Sequence, residues 1–157
     1  MSFLKRLFNK QQDERQVNSA DELKIQDIIV LTDSFALPES LRTKQFQVSA
    51  INCYEFENNT QTEWVLQGEN NLELYLTIEK DDQTYLKFAL KIQHQDVESL
   101  FDLDQFATIF DEPGQAFLDK QTDSSLTSGW SSPQYQQNTF AKVGYFHRKD
   151  NRSENLS

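Results

Sequence analysis

Between residues 72 and 92, apolar and polar side chains alternate more cleanly than anywhere else in the chain. Leu72, Leu74, Leu76 and Ile78 fall on one parity, and Glu73, Tyr75, Thr77 and Glu79 on the other. That is the period-two pattern of a strand with one buried face. A second run repeats it, with Leu86, Phe88, Leu90 and Ile92 against Tyr85, Lys87, Ala89 and Lys91. Both apolar sets carry even numbers, and this constrains the turn between them. Residues opposite each other in a hairpin have a constant sum, so even must meet even if the two apolar faces are to coincide. A two-residue Asp81-Asp82 loop would put one strand's leucines in water, so the loop must be odd in length or bulged. A three-residue loop Lys80-Asp81-Asp82, with Asp82 near the left-handed region, sets Leu76 opposite Leu86 and Leu74 opposite Phe88.

Other stretches read as partners for this hairpin. Ile25, Ile28, Ile29 and Val30 form a β-branched strand over residues 23–31, interrupted by Asp27. Pro38 and the turn formers around it stop that strand from continuing. Over residues 46–56, Phe46, Val48, Ala50, Tyr54 and Phe56 share one parity with Asn52 as the exception, while Ile51 and Cys53 take the other face. A turn at residues 58–61 leads to a short strand at Trp64, Val65 and Leu66, which ends at Gly68 and the two asparagines that follow. Short polar turns between successive strands are the pattern of an antiparallel meander, here of five strands.

After Ile92 the spacing changes. Val97, Leu100, Phe101, Phe106, Ile109 and Phe110 recur at helical spacing among acidic residues, predicting one or two short helices ended by Pro113 and Gly114. A brief strand is expected over residues 116–119 and a last one over residues 140–147. Residues 121–138 are rich in Ser, Thr and Gln and form a loop carrying Trp130 and Tyr135. These two aromatics are either anchors that pin the loop to the sheet or an exposed contact surface.

With 157 residues the chain is long enough for one domain with a real core. Twelve Phe, five Tyr and two Trp supply much of the burial in a sequence that is only 37% hydrophobic. Twenty-five acidic against 15 basic side chains give a net charge of −10, which argues against sequence-independent nucleic-acid binding. The single cysteine, Cys53, cannot form an intramolecular disulfide, and a reducing, cytoplasmic compartment fits.

Residues 2–10 read as an amphipathic helix presenting Phe3, Leu4, Leu7 and Phe8, with Lys5, Arg6 and Lys10 elsewhere on the wheel. Residues 1–16 carry four basic and two acidic side chains, a local +2 that leaves −12 for the remainder. Such a segment suits docking on an anionic membrane surface or on a protein partner, and its bland counterpart is a helix that caps its own core. It lacks the apolar stretch of a secretory signal, so the first residues are expected to be kept, and no apolar run in the sequence approaches the roughly 18 residues of a membrane-spanning helix.

Reactive constellations are missing from the sequence. His94 and His147 are far apart and lie in no metal-ligand spacing, so they read as solvent-exposed strand-end residues. Cys53 sits mid-strand with nothing local to lower its pKa, and reads as a small buried hydrophobe. Glu55 with Glu57, and Asp102 with Asp104, are the nearest approach to paired acids, but a solvated acidic face is the favoured reading of them. Isolated glycines at 68, 114, 129 and 144 form no phosphate-cradling loop.

The strand order LKIQDIIVL (residues 23–31), FQVSAI (46–51), TEWVL (62–66) and LELYLTIE (72–79), with the FLKRLF opening, resembles an uncharacterised bacterial family catalogued as domain of unknown function 4178. The resemblance covers about residues 23–92 and implies a small, β-rich bacterial cytoplasmic protein without assigned activity, often encoded beside envelope-stress or membrane proteins. It transfers no functional residues. The acidic helical region and the Trp130 loop depart from it.

These readings converge on a mainly β to α+β chain, an antiparallel meander sheet or partly closed small barrel with one or two short helices. Residues 1–19 are the amphipathic segment and a polar linker, residues 20–147 a single domain, and residues 148–157 a disordered tail. The expected function is a non-enzymatic binding or adaptor module without cofactor or metal, acting on a protein partner and peripheral to the inner membrane through Phe3, Leu4, Leu7 and Phe8. Trp130 and Tyr135 are further candidate contact residues. The first alternative is a small-ligand-binding or hydrolytic protein with a site inside the curved sheet, lined by Trp64, Tyr75, Tyr85 and Glu63. The second is an acidic inhibitor that mimics nucleic acid.

Overall fold

The structure is a computed structural model that describes residues 15–152. Five strands run as an antiparallel meander: β1 (Ile28–Val30), β2 (Gln45–Phe56), β3 (Thr60–Gln67), β4 (Glu73–Lys80) and β5 (Thr84–Ala89). The sheet curls into a half-barrel. Strands β6 (Phe117–Asp119) and β7 (Gln134–Gln136) form a separate pair, and β8 (Gly144–His147) adds to the main sheet antiparallel to β2. Because β3 takes one whole edge of β2, β1 and β8 share the other: β1 pairs with Gln45 to Gln47 at its start, and β8 with Cys53 to Phe56 at its end.

The hairpin follows the parity argument with one correction. Its loop has three residues, but they are Asp81, Asp82 and Gln83, since Lys80 pairs with Thr84. The register therefore sets Leu76 against Phe88 and Ile78 against Leu86. A shift of two in the sum keeps even opposite even, so the apolar faces still coincide. Asp82 is not in the left-handed region either. Its carboxylate instead accepts the Gln83 amide at 2.9 Å, and the Asp81 amide donates to the Gln83 carbonyl at 3.1 Å.

Strand β2 differs more from a simple alternation. Val48 pairs with Leu66 and Ala50 with Val65, which leaves Ser49 as the extra residue of a β-bulge. A bulge moves every later side chain to the opposite face. Phe46 and Val48 are buried before it and Ile51 and Cys53 after it, while Ala50, Asn52 and Tyr54 turn to the second face. A single face running from Phe46 to Phe56 is therefore not formed, and Asn52 ceases to be an exception. The first strand is also shorter than expected, because Gln26 adopts φ 78° and turns Ile25 out to solvent. The Asp27 carboxylate accepts the Lys24 amide at 2.7 Å and holds that turn.

One face of the half-barrel is closed by Phe46, Val48, Ile51, Trp64, Leu66, Leu74 and Leu76, with Leu23, Leu31 and Leu41 folding over it from the connecting segments. A second cluster is built from α1 (His94–Leu100), α2 (Leu103–Ala107) and β6. Leu100, Phe101 and Leu118 are buried there, with the Phe101 and Phe106 rings stacked at 5.9 Å. Asp96 accepts the Gln93 amide at 2.9 Å at the start of α1, and Asp102 accepts the Gln105 amide at 2.9 Å at the start of α2. Asp102 is thus a helix cap. No helix among the described residues is long and apolar enough to cross a membrane.

Candidate functional site

The bulge at Ser49 decides what lies on the sheet's second face. Beyond it, cross-strand register lines up Ala50, Val65, Tyr75 and Ala89 in one row, and Asn52, Glu63, Thr77 and Lys87 in the next. Phe146 of β8 stands beside Tyr54 with ring centroids 5.2 Å apart. Small side chains in the first row leave a floor, and the taller tyrosines and Phe146 rise around it. The result is a groove of about 640 Å³, within the size range of sites that hold a small molecule or a few residues of peptide.

Two carboxylates, Glu63 and Glu73, are the acidic groups of this groove. Glu63 Oε1 accepts from Asn52 Nδ2 at 3.0 Å and, at the limit of a hydrogen bond, from the Tyr54 hydroxyl at 3.5 Å. Asn52 is only 8% exposed, so this donor is fixed. Glu73 accepts from the Tyr75 hydroxyl. That bond, aided by burial and by the charges of Glu73 and Glu63, pushes the Tyr75 phenol up to about 12. Burial first, and then the Glu63 charge, raises Tyr54 as well. Both phenols therefore remain neutral donors. Among the described residues no lysine or arginine forms an ion pair with Glu63 or Glu73. Lys91 and Arg148 also line the groove, just past β5 and β8, on opposite sides of the sheet. A half-buried carboxylate held by neutral donors favours an incoming ammonium or guanidinium, and ring faces nearby add to that preference.

The set Trp64, Tyr75, Tyr85 and Glu63, expected inside the curved sheet, is not brought together. Trp64 is buried on the core face, with its indole N–H donating to the Leu23 carbonyl at 3.0 Å. Glu63 and Tyr75 are on the second face. Tyr85 bonds to Asp82 in the hairpin loop at 3.0 Å. Trp130 is half-buried and packs against the sheet core, and Tyr135 places its ring edge-on to Phe101 at 5.6 Å while accepting the Ser132 amide at 2.8 Å. Phe3, Leu4, Leu7 and Phe8 lie outside the described residues.

The structure brings one juxtaposition that sequence spacing could not reveal. Cys53 is directly opposite His147, whose Nε2 lies 3.0 Å from Glu55 Oε2. Cysteine, histidine and carboxylate are the components of an activated thiol, yet Cys53 is 1% exposed and no substrate atom could reach it. His94 pairs separately with Glu98 at 3.0 Å. Among the described residues no group of three or more His, Cys, Asp or Glu side chains is placed to hold a metal ion. Comparisons of the chain with protein-family models, with curated proteins and with solved structures return no match.

Proposed function

We propose that the protein is a non-enzymatic binding module whose second sheet face receives a short, partly apolar segment of a protein partner carrying lysine or arginine. The observation that carries this reading is the pair of carboxylates, half-buried Glu63 and exposed Glu73, bonded among the described residues to neutral donors and set beside a floor of Ala50, Val65 and Ala89. A chain with net charge −10 attracts basic partners at long range, and the groove supplies the short-range selection. Lys91 and Arg148 make that selection sharper. They disfavour a uniformly basic chain and favour one with its cation central, because like charges brought together at the flanks are penalised.

Amide chemical shifts of the full chain, followed while a peptide with the sequence of residues 3–8 (FLKRLF) is added, test the reading. The expected outcome is saturable movement centred on Ala50, Val65, Tyr75 and Ala89. Movement confined to the outer edges of β5 or β1, or none at all, would contradict it.

A further inference from the structure

Where β3 begins and β4 ends, the apolar filling of the half-barrel gives way to an open cavity of about 850 Å³. Trp64 and Ile78 form its inner end, and Thr60, Thr62 and Lys80 continue the same face outward. The charge around it is opposite to that of the whole chain. Lys80, Lys142 and Arg152 line it with the single carboxylate Asp21, and Lys87 and Glu79, which also border it, are paired with each other, in a protein of net charge −10.

These cations differ in how firmly they are held. Arg152 is fixed: its Nε and one Nη donate to Asp150 at 2.8 and 2.6 Å, its other Nη donates to the Asp21 carbonyl at 2.6 Å, and its guanidinium lies 5.3 Å from the Trp64 ring. Three of its five N–H groups are thereby used and two remain, in a planar fork whose orientation is set before any ligand arrives. Lys80 is paired with Asp21 at 2.6 Å, but the two side chains are 63% and 40% exposed, so this pair exchanges easily for a competing anion. Lys142 makes no hydrogen bond or ion pair with the described residues and is exposed. A prearranged guanidinium, two exchangeable ammonium groups and the threonine hydroxyls are complementary to an oxyanion at the mouth of a barrel, where such ligands commonly sit.

We infer that this vestibule is a second binding site, separate from the groove, for a small molecule bearing phosphate or carboxylate groups. The volume exceeds that of a bare anion, so the oxyanion is one end of the ligand and its remainder lies along Thr60, Thr62 and Ile78. The inner walls of the two sites lie on opposite faces of the same strands, Thr62 and Trp64 on one and Glu63 and Val65 on the other.

Titrating the full chain with pyrophosphate and, separately, with citrate tests the inference, read at the Trp64 indole N–H resonance. Binding at or below about 1 mM that moves this resonance and leaves that of Trp130 in place is expected. Tighter binding of pyrophosphate assigns a phosphate ester, and tighter binding of citrate a polycarboxylate. Lys80→Gln/Lys142→Gln changes only exposed side chains, so its fold should be retained, and it should weaken binding at least tenfold at equal salt. Arg152→Gln should weaken it further. Equal affinity in the lysine double variant, a Trp64 resonance that does not respond, or no binding of either anion by about 1 mM would overturn the assignment.

Discussion

Glu63 and Tyr75 show how single residues make the groove selective. Glu63 accepts a fixed amide hydrogen bond from Asn52, and the Tyr75 hydroxyl donates one to Glu73, so the Tyr54 and Tyr75 phenols stay neutral over the physiological range. A pH prediction follows for Tyr75. Its folded pKa of about 12 lies above the ordinary value of 10.0, so between these values the folded chain holds a proton that the unfolded chain has released. The stabilisation is fully present below pH 10 and is lost as pH rises through about 12. Tyrosine resonances followed against pH should show one phenol titrating well above the others, and Glu73→Gln should bring it down. Titration of Tyr75 near the ordinary value of 10.0 would contradict the Glu73 bond. Little of this was legible beforehand. Alternation marked Glu73 and Tyr75 as facing away from the core, but that Asn52 would meet Glu63 depends on the register of β2 against β3, which one sequence does not state.

Among the elements, β2 carries the most consequence because its bulge decides which residues share a face. Parity alone placed Ala50 and Tyr54 with Phe46. The extra residue at Ser49 instead sends Ile51 and Cys53 into the core and builds the second face from Ala50, Asn52 and Tyr54. Removing Ser49 should therefore be far worse than changing it. Ser49→Ala loses one hydrogen bond to the Val65 carbonyl, at 3.2 Å, and should cost about 1 kcal/mol. Deleting the residue would put Ile51 and Cys53 in water and Asn52 and Tyr54 against Leu66, and should abolish the cooperative unfolding transition in denaturant. A deletion variant with a transition close to that of the parent would refute the role given to the bulge. The β4 and β5 hairpin was far more legible, because parity is a counting argument that survives a two-residue shift of the loop. Strand β7 was not foreseen: Gln134, Tyr135 and Gln136 have no apolar alternation, and pairing with β6 alone makes them a strand.

At the scale of the whole molecule, two hydrophobic clusters share one chain. The loop after β6 is tied to the helical cluster by the Gln121 amide on the Leu100 carbonyl at 2.7 Å and the Thr122 amide on the Ser99 carbonyl at 3.1 Å. Further along the same loop, Trp130 packs on the sheet core. Trp130 thus ties the loop to the sheet core and couples the two clusters. Trp130→Ala should cost up to about 3 kcal/mol and split thermal unfolding into two steps, the helical cluster first. A single, unshifted transition would show that the clusters cooperate by another route. The meander, its even face and the acidic helices could be read from periodicity. The groove could not, since it is made by residues from β2, β3, β4, β5 and β8 that only the folded register brings together.

The central claim is that Glu63 and Glu73 recognise a basic segment. Calorimetric titration of the FLKRLF peptide into the parent chain and into Glu63→Gln/Glu73→Gln, at one salt concentration, tests it most directly. Replacing both charges by isosteric amides should weaken binding at least tenfold, equivalent to about 1.4 kcal/mol or more, while leaving the unfolding transition in place. Equal affinities in the two proteins would contradict the claim and remove the groove as the binding surface.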